Sequence, residues 1–129
     1  MDYAKAWSRL VVDFEHLTFF GYTRAWTDGS IRRVLAKLSF QPNVSLWASS
    51  DWTMPPSPPS WLEARVFRTI DDARSAGYVV CPEQLGVKPS CDICQLCWRV
   101  PTDSRFRLAF IDHRQLQRAG EGKHSSPVR

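Results

Sequence analysis

The stretch LTFFGYTRAWTDGSIRRVLAKLSFQPNVSLWA, residues 17–48, decides the fold. Its first six residues, Leu17-Thr18-Phe19-Phe20-Gly21-Tyr22, are dense in aromatic and β-branched types and read as a strand. Thr27, Asp28 or Ser30 can then cap a helix whose apolar face is Ile31, Val34, Leu35 and Leu38. Gln41-Pro42-Asn43 reads as a turn, and Val44-Ser45-Leu46-Trp47-Ala48 as a second strand. Two strands joined by a helical crossover imply parallel neighbours in one sheet.

Upstream, Ala4, Trp7, Leu10, Val11 and Phe14 recur at helical spacing, which predicts a helix over Tyr3–His16 with His16 at its end in a structural role. Downstream, Met54-Pro55-Pro56-Ser57-Pro58-Pro59-Ser60 holds four prolines in seven positions. Such a stretch cannot join a central ladder, so it is expected to be a surface connector. Arg65–Thr69 is a candidate short strand, 71–76 a turn of helix or a loop, Gly77–Val80 a strand running into Cys81, and Arg107–Ile111 the last strand. The sequence thus predicts a single α/β domain over residues 1–113 with a small, mostly parallel sheet. Residues 114–129, polar and almost without large apolar side chains, are expected to be a disordered basic tail.

The bulk properties bound the function. The chain has 129 residues, 43% hydrophobic and 23% charged, which suits one domain and argues against wholesale disorder. No apolar run has the length of a membrane span, and the N-terminus has no signal-peptide pattern, so a cytoplasmic protein without membrane contact is expected. The net charge is +4, of which residues 114–129 contribute +3 and residues 1–113 only +1. On this count the basic character lies in the tail and not in a patch, and a basic arm for nucleic acid is kept only as an alternative.

All four cysteines fall within 17 residues, Cys81, Cys91, Cys94 and Cys97, spaced C-x9-C-x2-C-x2-C. A reducing cytoplasm disfavours disulfides, and the clustering points to a metal. Zinc commonly takes two separate Cys-x2-Cys hooks, whereas here Cys94 belongs to both. Three thiolates at steps of three with a fourth from a distance follow the logic of bacterial ferredoxin ligation. A [4Fe–4S] cluster is the first expectation and Zn2+ the alternative. With four cysteines on one centre no open position remains, which suggests a structural or electron-relay role.

In a parallel α/β sheet, ligands bind beyond the carboxyl ends of the strands. Polar or reactive groups follow each predicted strand: Tyr22-Thr23-Arg24, Ser49-Ser50-Asp51-Trp52, Cys81 with its loop, and Asp112-His113. Arg24, Asp51 and His113 are therefore expected to share one end of the sheet with the cysteine loop, as binding residues. No nucleophile–base pair, glycine-rich phosphate loop or paired carboxylate stands out, so a stand-alone enzyme is not expected. Six tryptophans, several near the prolines, suit an aromatic binding surface.

Residues Thr18–Trp26, Asn43–Asp51, Cys81-Pro82-Glu83-Gln84, Cys91–Trp98 and Leu108–His113 resemble the gene product 88 family of bacteriophages and related mobile elements. The resemblance spans about residues 3–113, and the cysteine block with the following strand and His is its most specific part. It implies a fold like part of a (β/α) barrel and a phage or mobile-element accessory protein acting in the host cytoplasm beside a phage or host protein. Longer members have a further cysteine-containing segment upstream. This sequence contains no C-x3-C-x2-C motif, so a radical-SAM-like activity is not expected of it. Two other readings stay open: a host-directed interaction or inhibitor protein with a structural zinc site, and an auxiliary or remnant subunit of a redox enzyme.

Overall fold

The computed structural model describes residues 2–100 and 106–116. In chain order these form α1 (Asp2–Asp13), β1 (Phe19–Thr23), a 3-10 turn (Ala25–Thr27), α2 (Gly29–Ser39), β2 (Val44–Asp51), β3 (Leu62–Phe67), α3 (Ile70–Ser75), β4 (Val79–Val80), the short helices α4 (Cys91–Cys94) and α5 (Leu96–Arg99), and β5 (Arg107–Ile111). The strands make one sheet in the order β1-β2-β3-β5-β4, and every neighbouring pair is parallel. The protein is α/β, and all the carboxyl ends of its strands lie along one edge.

Alternation of side chains along a strand divides the core between two faces. On one face, Val44, Leu46 and Ala48 of β2 pack against Ala4 and Val11 of α1, Leu35 and Leu38 of α2, Trp26 and Trp61. Phe67, Ala109, Ile111 and Val80 continue that face under Ala73 of α3 and Tyr78. The other face carries Trp47, Leu62, Ala64 and Leu108, covered by Cys81, Val100, Leu96 and Cys97. Helices thus cover one face and the cysteine loop covers the other.

Local signals account for most boundaries. Asp28 caps α2, its carboxylate accepting from Ser30 N at 2.9 Å and Ile31 N at 3.2 Å. Thr69 caps α3 by accepting from Asp72 N at 3.1 Å. α1 stops at Asp13, earlier than the apolar spacing suggests, and His16 lies beyond it in an exposed turn. The side-chain amide of Asn43 donates to the carbonyl of Val11 at 2.9 Å, freed in the last turn of α1, and to that of Leu17 at 3.0 Å, just before β1, so the turn before β2 ties both down. The expected apolar stripe of α1 is only partly used. Ala4 and Val11 are buried, whereas Trp7, Leu10 and Phe14 are exposed.

The proline-rich segment departs from a plain surface connector. Residues 52–61 form the whole crossover between two adjacent parallel strands, a task usually given to a helix. Pro55, Pro56 and Pro59 are exposed, but Ser57 and Trp61 are buried. The backbone N–H of Ser57 donates to Glu63 Oε2 at 2.7 Å and its hydroxyl at 2.5 Å. Glu63 is 2% exposed. Its other oxygen accepts from the Tyr78 hydroxyl and lies 3.7 Å from Arg65 Nη1. Burial alone would raise the Glu63 pKa, but these donors and Arg65 outweigh it and hold the carboxylate below its usual range. Burial first, and Glu63 second, push the Tyr78 phenol up to about 12.

The remaining strands also shift. β3 begins at Leu62 and not at Arg65, and β2 runs on to Asp51, so Ser49 and Ser50 are strand residues rather than loop groups. Six of the seven residues 70–76 belong to α3, and Gly77, at φ 82°, turns the chain into the two-residue β4. The last described turn, residues 113–116, is helical and takes in the first three residues of the expected tail, and Leu116 packs on the Phe67–Ile111 core, so the domain reaches at least Leu116. Residues 117–129 lie outside the described residues.

Candidate metal centre at the cysteine loop

The loop leaves the sheet at Cys81, just past β4. Cys81 N still donates to Ala109 O at 2.9 Å, in ladder fashion, and the thiol turns to the face opposite the helices. The Gln84 side chain then takes the place of a longer β4. Its oxygen accepts from Ile111 N at 2.8 Å and its amide donates to Ile111 O at 3.2 Å. This pair fixes the start of the loop against the end of β5.

Cys91 and Cys94 lie on α4, and Cys97 on α5. Gln95, between the two helices, has φ 57°, in the left-handed region that side chains other than glycine seldom adopt. Without this break, thiols at steps of three would climb along one continuous helix. The left-handed residue bends the run, so that Cys91, Cys94 and Cys97 border the same cavity as Cys81. That cavity has a volume of about 200 Å³ and is walled by Phe20, Tyr22, Trp98, Leu108 and Phe110.

The far end of the loop is tied to the sheet. Trp47, fully buried, donates its indole N–H to Cys97 O at 2.8 Å, and Ser45 Oγ donates to Val100 O at 3.3 Å. The Tyr22 hydroxyl donates to Cys97 Sγ at 2.8 Å. Tyr22 also meets Phe110 edge-on, with ring centres 5.8 Å apart. Cys81 is buried, Cys94 and Cys97 half-buried and Cys91 exposed, and all four are free thiols.

The cysteines oppose one another's ionisation at Cys91 and Cys97. Burial pushes the Cys97 thiol up; the Tyr22 hydrogen bond opposes this, while Cys81, Cys91 and Cys94 add to it. Burial also raises Cys91, with Glu83, Cys81, Cys94 and Asp92 acting in the same direction. Burial and then the Cys97 contact raise Tyr22, keeping its phenol a donor. A cation would relieve this resistance of Cys91 and Cys97 to becoming anions.

Among the described residues, no three His, Cys, Asp or Glu side chains close on one point as a single metal ion requires. Zn–S bonds of about 2.3 Å would hold tetrahedral sulfurs ~3.8 Å apart. The four cysteines instead line one cavity.

The other expected site residues divide. Arg24 Nη1 meets Asp51 Oδ2 at 3.2 Å, so these two come together at the carboxyl ends of β1 and β2. Asp51 also accepts from Thr53 Oγ1 at 2.6 Å and Thr53 N at 2.8 Å, and the Thr53 bonds, ahead of Arg24, lower its pKa. Arg24 reaches Met54 Sδ at 3.9 Å as well. His113 follows β5 at the same edge of the sheet, exposed, and no hydrogen bond or ion pair joins it to Arg24 or Asp51. The sheet therefore supplies the shared edge, but only the Arg24–Asp51 pair is in contact.

Two readings of the sequence need correction. Tryptophans 26, 47 and 61 are core residues, and of the two flanking the prolines only Trp52 is exposed, stacked under Arg68 at 4.9 Å. The six do not form an aromatic surface. Nor is positive charge confined to the tail: Lys5, Arg9, Arg33 and Lys37 line one groove between α1 and α2. Tyr22 was legible as a polar group at the end of the first strand, but its bond to Cys97 spans 75 positions and leaves no local signal. No helix among the described residues is long and apolar enough to cross a membrane. No protein family, curated protein or solved structure matches the chain.

Proposed function

We propose that the chain binds a [4Fe–4S] cluster through Cys81, Cys91, Cys94 and Cys97, and serves as an accessory protein in which the cluster has a structural or electron-relay role. The observation that supports this is that four free cysteines line one aromatic-walled cavity. The cluster would supply one-electron chemistry or simple bracing. The chain's own residues would supply four thiolates, a hydrogen bond from Tyr22 to one of them, and the anchor from Trp47 that holds Cys97 in place. The resemblance to the gene product 88 family supports a phage or mobile-element setting, with a phage or host protein as partner in the host cytoplasm. Helices on one face of a parallel sheet support a likeness to part of a (β/α) barrel over β1–β3 only, since β5 lies between β3 and β4 and breaks a barrel's sequential strand order. The Arg24–Asp51 pair and His113 are proposed as a secondary binding edge.

Anaerobic purification with iron and sulfide assays tests the reading. The expected result is a brown protein with broad visible absorption and equal amounts of iron and acid-labile sulfide, both lost in Cys94→Ser. A colourless protein that takes up one zinc per chain after anaerobic reconstitution would replace the cluster by a structural zinc site.

A further inference from the structure

We infer that the groove between α1 and α2 is a binding site for the phosphate backbone of nucleic acid. Lys5 and Arg9 of α1 and Arg33 and Lys37 of α2 line a groove of about 330 Å³, together with Ser8 and Val34. No carboxylate lines it, all four cations are exposed, and among the described residues none of the four is in an ion pair. Each pair is spaced i, i+4, so each helix presents two cations ~6 Å apart along its axis. Like charges at that spacing disfavour the helices that carry them, and two such pairs face each other here. Residues 1–113 carry a net charge of only +1, so this concentration is not a reflection of an overall basic domain. A chain of regularly spaced anions would relieve all four cations at once, and the Arg guanidinium forks match phosphate oxygens.

The surroundings favour nucleic acid over a lipid surface. At 100° per residue, Arg9 lies about 160° around α1 from Trp7. Trp7 and Tyr3, the exposed aromatics of this helix, border a separate apolar cleft against β1. A bilayer that took up the aromatic side would leave the cationic groove facing water.

Fluorescence anisotropy of the full-length protein with a short labelled DNA duplex provides the test. Four phosphate contacts give a log–log salt slope of about −3.6, or a ~150-fold loss of affinity between about 50 and about 200 mM salt. The double variant R9Q/R33Q should halve that slope, reducing the loss to ~12-fold, and weaken binding at low salt. The tail variant R118Q/K123Q should leave the slope as it was. An unchanged melting temperature is expected of both, since Arg9 and Arg33 are exposed. The proposal is overturned if the duplex does not bind, if the tail variant and not the groove variant flattens the slope, or if vesicles of anionic lipid bind where the duplex does not. Equal binding of poly-glutamate would likewise show a general anion surface and not a nucleic-acid site. None of these outcomes depends on the metal centre.

Discussion

Replacing Glu63 by Ala should cost this protein about 3–5 kcal/mol. The carboxylate is 2% exposed and accepts from Ser57 N, Ser57 Oγ and the Tyr78 hydroxyl, with Arg65 Nη1 at 3.7 Å. Removing it leaves buried donors unpaired, each costing about 1–3 kcal/mol, while the Ser57 hydroxyl regains part of its loss by rotating. It also strips Arg65 of its counter-ion, and breaking a buried pair from one side costs about 3–5 kcal/mol. These two estimates describe the same network and agree, so they are not added. At about 4 °C per kcal/mol for a domain of this size, thermal unfolding should move down by about 12–20 °C. The pH dependence separates charge from shape. The folded pKa of Glu63 is depressed, so its contribution is complete above the unfolded value of about 4.3 and fades as pH falls through the folded value. Glu63→Gln keeps the size and removes the titration. Urea titrations at neutral and acidic pH should show the wild type losing more stability in acid than E63Q does. An Ala variant within about 1 kcal/mol of wild type, or identical acid losses in wild type and E63Q, would refute the reasoning.

Other expectations concern the loop. Tyr22→Phe removes the hydrogen bond to Cys97 Sγ and should lower the reduction potential of a bound cluster, by ~40 mV if the bond favours the reduced state by about 1 kcal/mol; protein-film voltammetry reads this directly. Trp47→Phe should cost about 1–3 kcal/mol in urea unfolding by orphaning Cys97 O, and should speed loss of metal to a chelator. Burial raises the Cys91 and Cys97 thiols, so metal uptake, which needs thiolates, should weaken on going from alkaline to mildly acidic buffer while a pre-loaded sample changes little in colour. Deleting residues 118–129 keeps Leu116 in place and should leave the melting temperature nearly unchanged in calorimetry.

The parallel sheet was legible because its evidence is local. The aromatic run before Thr23, the cap at Asp28, the spacing of Ile31, Leu35 and Leu38, and the apolar run from Val44 each act within a turn or a strand. Glu63 was not legible, because its burial depends on distant partners. Ser57 lies within a proline run that reads as solvent-exposed, and Tyr78 comes 15 positions later, beyond a helix. A carboxylate beside prolines has every local sign of a loop, so β3 reads three residues short. The apolar stripe of α1 failed for the opposite reason. Helical spacing specifies a face but not how much neighbouring surface exists to cover it, and at the edge strand β1 there is too little, so Trp7, Leu10 and Phe14 remain exposed.

The cysteine spacing pointed to a centre, while the chain's topology determines what surrounds the four cysteines. Because β4 is only two residues long, the loop begins deep at the sheet edge, and Cys81 is buried while Cys91, ten positions on, is exposed. The helices α4 and α5 span four residues each, far too short to persist alone. What holds them is the side of the sheet that the helical layer leaves free: Ser45 and Trp47 from β2, Tyr22 from β1 and Phe110 from β5. Three of these reach the loop near Cys97 or Val100, so the sheet secures its second half, and Gln84 secures its start. The stretch from Gly86 to Cys94 has only turn and short-helix bonds of its own beyond those anchors. A bound cluster would tie that stretch to both ends through Cys91 and Cys94. On this account a bound cluster would order a segment lying between two anchors and would not build the fold, so the helix-covered face should survive its loss.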